Sequence, residues 1–154
     1  MKLILCVPVR LRVLALLLVM GMAGCAAAPV KEVVSTKEAP AAIGPYSQGI
    51  KVGTLLFLSG QISIDPKTNQ MNSGSIEEQT KQALQNLDAV LRAEGMSMEN
   101  IVNTTVFLKD VNDFGKMNTV YGTFFKDKPP ARATVQVARL PRDALVEISA
   151  IASK

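Results

Sequence analysis

PPARATVQVARLPRDALVEISAIA, residues 129–152, reads as two strands joined by a short loop. Pro129 and Pro130 end whatever precedes them, because proline lacks a backbone N–H and disfavours helix in the residue before it. From there polar and apolar side chains alternate. Ala133, Val135 and Val137 fall on one face and Arg132, Thr134 and Gln136 on the other, since strand side chains repeat with period two. Glu147 and Ser149 share a face opposite Val146, Ile148 and Ala150. The loop Arg139–Asp143 is short enough to predict antiparallel neighbours, a register that brings Arg132, Thr134 and Glu147 to one polar pocket. Two readings of that pair stay open: a plain ion pair, or a clamp for a small organic acid beside a carboxylate that manages water and protons.

Working outward, Val30 to Thr36 reads as a first strand, and Gln48 to Val52 as a second that turns at Gly53 into Thr54 to Ser59. Asp65 to Gly74 is turn-forming throughout. Ser75 followed by Glu78 predicts a capping box, and Ile76, Thr80, Ala83, Leu84, Leu87, Val90 and Leu91 keep helical spacing up to a stop at Gly95. Ile101 to Lys109 is a β-branched strand. Asp110 or Asn112 then caps a second helix to about Lys126, with Phe114, Met117, Val120, Tyr121 and Phe124 as its apolar stripe. The final strand is Ala144 to Ala152. Three strands, helix, strand, helix and two strands make an α+β domain with a mixed sheet. Two helices cover one face only, and Leu, Phe and Val on the other predict burial against copies of the same chain.

At the other end, residues 1–24 read as an export signal. Lys2, Arg10 and Arg12 precede an apolar run from Val13 to Met22, too short to span a membrane. Met22-Ala23-Gly24-Cys25 resembles the bacterial lipobox, which predicts lipidation of Cys25, with Ala26 after it favouring the outer membrane over retention. The alternative is an ordinary secretory signal cut near Ala26 to Ala28. Residues 25–36 are tether and first strand, and 37–154 the folded domain. Three of the 17 basic residues lie in the leader and all 13 acids follow it, so the formal charge drops from +4 to +1 once it is removed. No basic cluster with interleaved aromatics remains, which argues against nucleic acid as partner. The chain has no histidine, excluding Ser/His/Asp and Cys/His catalysis. Cys6 lies in the leader and Cys25 at its end, so the domain has no cysteine nucleophile or disulfide.

APAAIGPYSQG (39–49), LFLSGQ (56–61), VFLKDVNDF (106–114) and the opening stretch together resemble the RidA/YjgF family of reactive-intermediate deaminases, from about Lys37 to the end. The resemblance implies a chorismate-mutase-like α+β trimer with sites in clefts between subunits. It implies hydrolysis of enamine and imine acids, such as 2-aminoacrylate and 2-iminopropanoate, to 2-keto acids and ammonia, with no cofactor and no metal. By the same resemblance Arg132 grips the substrate carboxylate and Glu147 positions the attacking water. Tyr46 closes over the ligand, Ser59 and Gly60 form the strand end that substrate approaches, and Asn118 faces the pocket. Thr134 stands where several relatives have cysteine, and offers the backbone N–H at that position. A binding module anchored at the membrane, holding small carboxylates without turning them over or acting as a holdase, is the competing expectation.

Overall fold

The computed structural model describes residues 30–154. The leader and the expected lipidation point at Cys25 lie outside the described residues. Six strands, β1 (Lys31–Val34), β2 (Gly49–Val52), β3 (Leu55–Gln61), β4 (Ile101–Leu108), β5 (Ala131–Gln136) and β6 (Val146–Ser153), form one mixed sheet in the order β1-β2-β3-β6-β4-β5. Two helices, α1 (Ile76–Ala93) and α2 (Phe114–Phe124), complete the α+β fold. All strand pairs are antiparallel except β4 with β5.

The first helix starts and stops where its residues require. The Ser75 hydroxyl accepts from the Glu78 N–H at 3.3 Å, and the Glu78 carboxylate accepts from the Ser75 N–H at 2.7 Å. Two of the orphan donors of the first turn are thereby satisfied. At the other end Gly95 takes φ +65, and the Met96 N–H reaches back to the Leu91 carbonyl at 3.0 Å. That left-handed turn is one glycine adopts without the Cβ penalty. Leu84, Leu87, Val90 and Leu91 are wholly buried in one cluster with Leu56, Val106, Leu108, Val146 and Ile148 of the sheet. The second helix begins at Phe114, after a 3-10 turn (Val111–Asp113) capped by the Asp110 carboxylate, which accepts from the Asn112 N–H at 2.9 Å.

One expectation is corrected. β5 and β6 are not neighbours, because β4 lies between them. β4 and β5 run parallel and are linked through α2, so β5 ends up as an exposed edge, where the prolines before it leave no ladder partner unmet. β6 buries every second side chain against the helices and takes the central position between β3 and β4.

Buried amides hold what the ladders do not. Asn86 on α1 donates to the carbonyls of Ile62 and Ile64 at 3.1 and 3.0 Å, and the Gln79 side chain accepts from the Leu145 N–H at 2.9 Å. Asn86→Leu is expected to lower stability by about 2–4 kcal/mol, since two buried carbonyls then lose their donor. Urea denaturation at fixed protein concentration reads it; an unchanged midpoint refutes the anchoring role.

The face away from the helices is open. Val33, Ile50, Phe57, Ile151, Asn103 and Ala131 lie in one row across all six strands. Val33 is 67% exposed and Phe57 42%, with Val135 at 45% on the next strand edge.

Candidate functional site

Between Leu58 and Gln61 the β3–β6 ladder slips, so Ser59 and Gly60 face a single residue of β6. Such a bulge bends the strand and redirects what lies beside it. Here it brings the Gly60 backbone against the Glu147 carboxylate, so closely that a Cβ built on Gly60 would overlap it. Glu147 is half-buried, and the loss of solvent pushes its pKa above the usual carboxylate value. Among the described residues no cation lies within 4.0 Å of it and no group donates to it.

A cavity of about 440 Å³ opens in front of this carboxylate, lined by Tyr46, Ser59, Gly60, Gln61, Ile62 and Ile64 among others. The loop over it is built on Gln48, whose side-chain oxygen Oε1 accepts from the Thr36 N–H at 2.6 Å. Its amide donates to the carbonyls of Thr36, Ala39 and Pro40 at 3.0, 3.2 and 2.7 Å. Tyr46 stands at the rim, 47% exposed, with its hydroxyl accepting from the Ile43 N–H at 3.2 Å. The Ser59 hydroxyl donates to the Ser47 carbonyl at 2.6 Å. Four of the expected site residues, Tyr46, Ser59, Gly60 and Glu147, thus come together on one wall.

Arg132 does not join them. Register places Arg132 opposite Thr104 and Glu147 opposite Phe107 on the shared neighbour β4, and successive residues of a strand point to opposite sides. Arg132 and Thr134 therefore face the helices while Glu147 faces away, so neither the single-chain pocket nor the Arg132–Glu147 ion pair exists within one chain. Arg132 instead lies over aromatic rings of α2, 4.5 Å from the Tyr121 centroid and 5.6 Å from that of Phe114. Tyr121 is fixed by a 2.7 Å hydrogen bond between its hydroxyl and that of Thr104, and burial raises its pKa. A cation placed over ring faces in this way is held by their negative π surfaces. Asn118, four residues after Phe114 and three before Tyr121, shares the same helical stripe. The Thr134 hydroxyl is buried without a partner.

Among the described residues, the open face thus carries a carboxylate without a cation, and the other face a guanidinium without a carboxylate. Phe114 and Tyr121 hold Arg132 and Gln48 holds the loop over the cavity, although the sequence reading placed the first two only in an apolar stripe. The signal available was their seven-residue spacing on a helix leading into a strand with arginine at its second position.

The family model described as Endoribonuclease L-PSP matches residues 36–154. A RutC family protein of Saccharolobus solfataricus is 53% identical over 125 residues, covering 81% of this chain and 99% of its own. The mouse 2-iminobutanoate/2-iminopropanoate deaminase is 50% identical over 123 residues, covering 80% of this chain and 91% of its own. The crystal structure of Escherichia coli TdcF with bound serine superposes with a TM-score of 0.77 at 42% identity, over 80% of this chain and 98% of that one.

Proposed function

The chain belongs to the RidA/YjgF (Endoribonuclease L-PSP) family, and on that premise we propose that it hydrolyses 2-imino acids, and the enamines that tautomerise to them, to 2-keto acids and ammonia. The observation that carries the reading is the Glu147 carboxylate, half-buried and unpaired at the mouth of a cavity of small-ligand size. Support comes from the mouse deaminase and from the serine held by TdcF, a small amino acid that carries a carboxylate.

We further propose that the missing half comes from a second copy, in a homotrimer that buries the open apolar face. The exposed row through Val33 and Phe57 fits a contact between copies, and the unpaired Arg132 fits a site that it completes from a neighbour. In that arrangement Arg132 binds the substrate carboxylate with two parallel N–H donors. Glu147 accepts a proton from water as the oxygen attacks C2 of the imine. That proton is returned to the nitrogen to give a carbinolamine. Glu147 then passes the C2 hydroxyl proton to the same nitrogen as the C–N bond breaks, ammonia leaves and C2 becomes the keto carbon. The imine carbon is already electrophilic, so positioning and proton transfer suffice.

The test couples an amino-acid oxidase to release of keto acid and ammonia. Wild-type protein is expected to accelerate both, and Arg132→Ala and Glu147→Gln to do so far less. Unfolding and refolding the two variants together is the sharper measurement. If each site takes Arg132 from one chain and Glu147 from another, random mixing restores about one quarter of the sites. Separate variants and mixture equally inactive would sink the shared site. Wild type equal to buffer, with ligand still bound, would leave a binding module. The Endoribonuclease L-PSP description names RNA cleavage, but RNA binding draws on many phosphate contacts and the domain carries only +1.

For residues 1–29, outside the described part, we propose a lipid anchor on Cys25 and a periplasmic, outer-membrane location. Palmitate labelling should appear in wild type and vanish in Cys25→Ser.

A further inference from the structure

Most polar side chains that line the cavity beside Glu147 are already committed to the protein. Gln48 spends its side-chain oxygen on one backbone donor and its amide on three backbone carbonyls. Ser59 donates to the Ser47 carbonyl, and the Gln61 amide donates to the Ser59 carbonyl at 3.2 Å. The wall left for a substrate's own side chain is Ile43, Ile62 and Ile64. Two of these are rigidly placed. Ile62 and Ile64 belong to a small second core with Leu140 and Ala144, and their carbonyls are held by Asn86. Branching at Cβ further limits their movement. Ile43 is 47% exposed and closes the wall from the loop that bears Tyr46.

A cavity of about 440 Å³, bounded on this chain's side by that wall, leaves room for more than a methyl side chain. We propose that Ile43, Ile62 and Ile64 make the site selective for 2-imino acids with a branched aliphatic side chain, such as isobutyl, over the alanine-derived imine. The proposal rests on the imine hydrolysis proposed above. A polar side chain of the same shape is disfavoured too, because it surrenders water against that aliphatic wall.

The experiment generates imines in place from leucine, alanine and asparagine with a broad amino-acid oxidase and compares kcat/KM, each normalised to imine formed. The leucine-derived imine is expected to exceed the alanine-derived one by about tenfold or more, and to exceed its asparagine-derived isostere by a similar factor. Ile43→Ala, at an exposed position that spares the core, is expected to shrink the leucine-to-alanine ratio by about threefold. Hydrolysis of all three imines with the alanine-derived one equal or best overturns the selectivity while leaving the hydrolase reading intact. Hydrolysis of none overturns both. An unchanged ratio in Ile43→Ala removes that residue's part in the wall.

Discussion

Glu147→Gln is expected to lower kcat by about 10²- to 10⁴-fold, the range general-base groups contribute, while leaving the fold intact. The amide keeps the shape of the side chain against Gly60 and loses only the ability to take a proton. Burial raises the pKa of Glu147, so the folded state holds its proton more tightly than the unfolded chain does. The sign for stability follows. The carboxyl carries no folding penalty below its ordinary value, and a penalty develops as pH rises toward and through the raised one. Gln removes that penalty, and at neutral pH the variant should be at least as stable as wild type. The sign for activity is opposite, because the base must be ionised. Wild-type turnover is expected to fall as pH drops through the raised value, in a limb above the usual carboxylate range that the Gln variant lacks. A Gln variant with wild-type kcat at neutral pH would remove Glu147 from the mechanism.

The second large effect is at Arg132. Replacement by alanine is expected to lower kcat/KM by about 10- to 100-fold, the loss of a charged hydrogen-bond pair to the substrate carboxylate. Arg132→Lys should recover little. An ammonium offers neither the two-pronged donor geometry nor the delocalised cation that lies over Tyr121 and Phe114. The folded state should survive both changes, since Arg132 makes no ion pair among the described residues. Initial rates across substrate concentration check the prediction. Full activity in the lysine variant would reduce Arg132 to a generic positive charge.

Local rules carried the sequence reading well. The Ser75–Glu78 cap and the Gly95 stop depend on residues within one turn of each other, and the alternation along 131–136 and 146–153 depends only on the pleat. These were legible. The insertion of β6 between β3 and β4 was not, because pairing partners are chosen by the tertiary burial of whole strands, and a short loop had suggested direct adjacency. That single difference put β4 between β5 and β6, and the register across it left Arg132 and Glu147 on opposite faces. The roles of Gln48 and Asn86 were equally hidden. An amide that serves as a surrogate strand partner has the same letter as one in solvent, and only the coordinates show which carbonyls it reaches.

Gly60 adopts no left-handed backbone, so turn geometry does not explain why it is glycine. Its missing methyl is the space the Glu147 side chain occupies, 87 positions further along the chain. Alanine there need not unfold anything, because the obstacle is the tip of a bendable side chain. It would push the Glu147 carboxylate out of line, which under the proposed mechanism mimics damage to Glu147 while the other contacts stay in place. A survey of tolerated substitutions should therefore find residue 60 as restrictive as 147 for turnover and permissive for solubility, the mark of vacancy used as a tool.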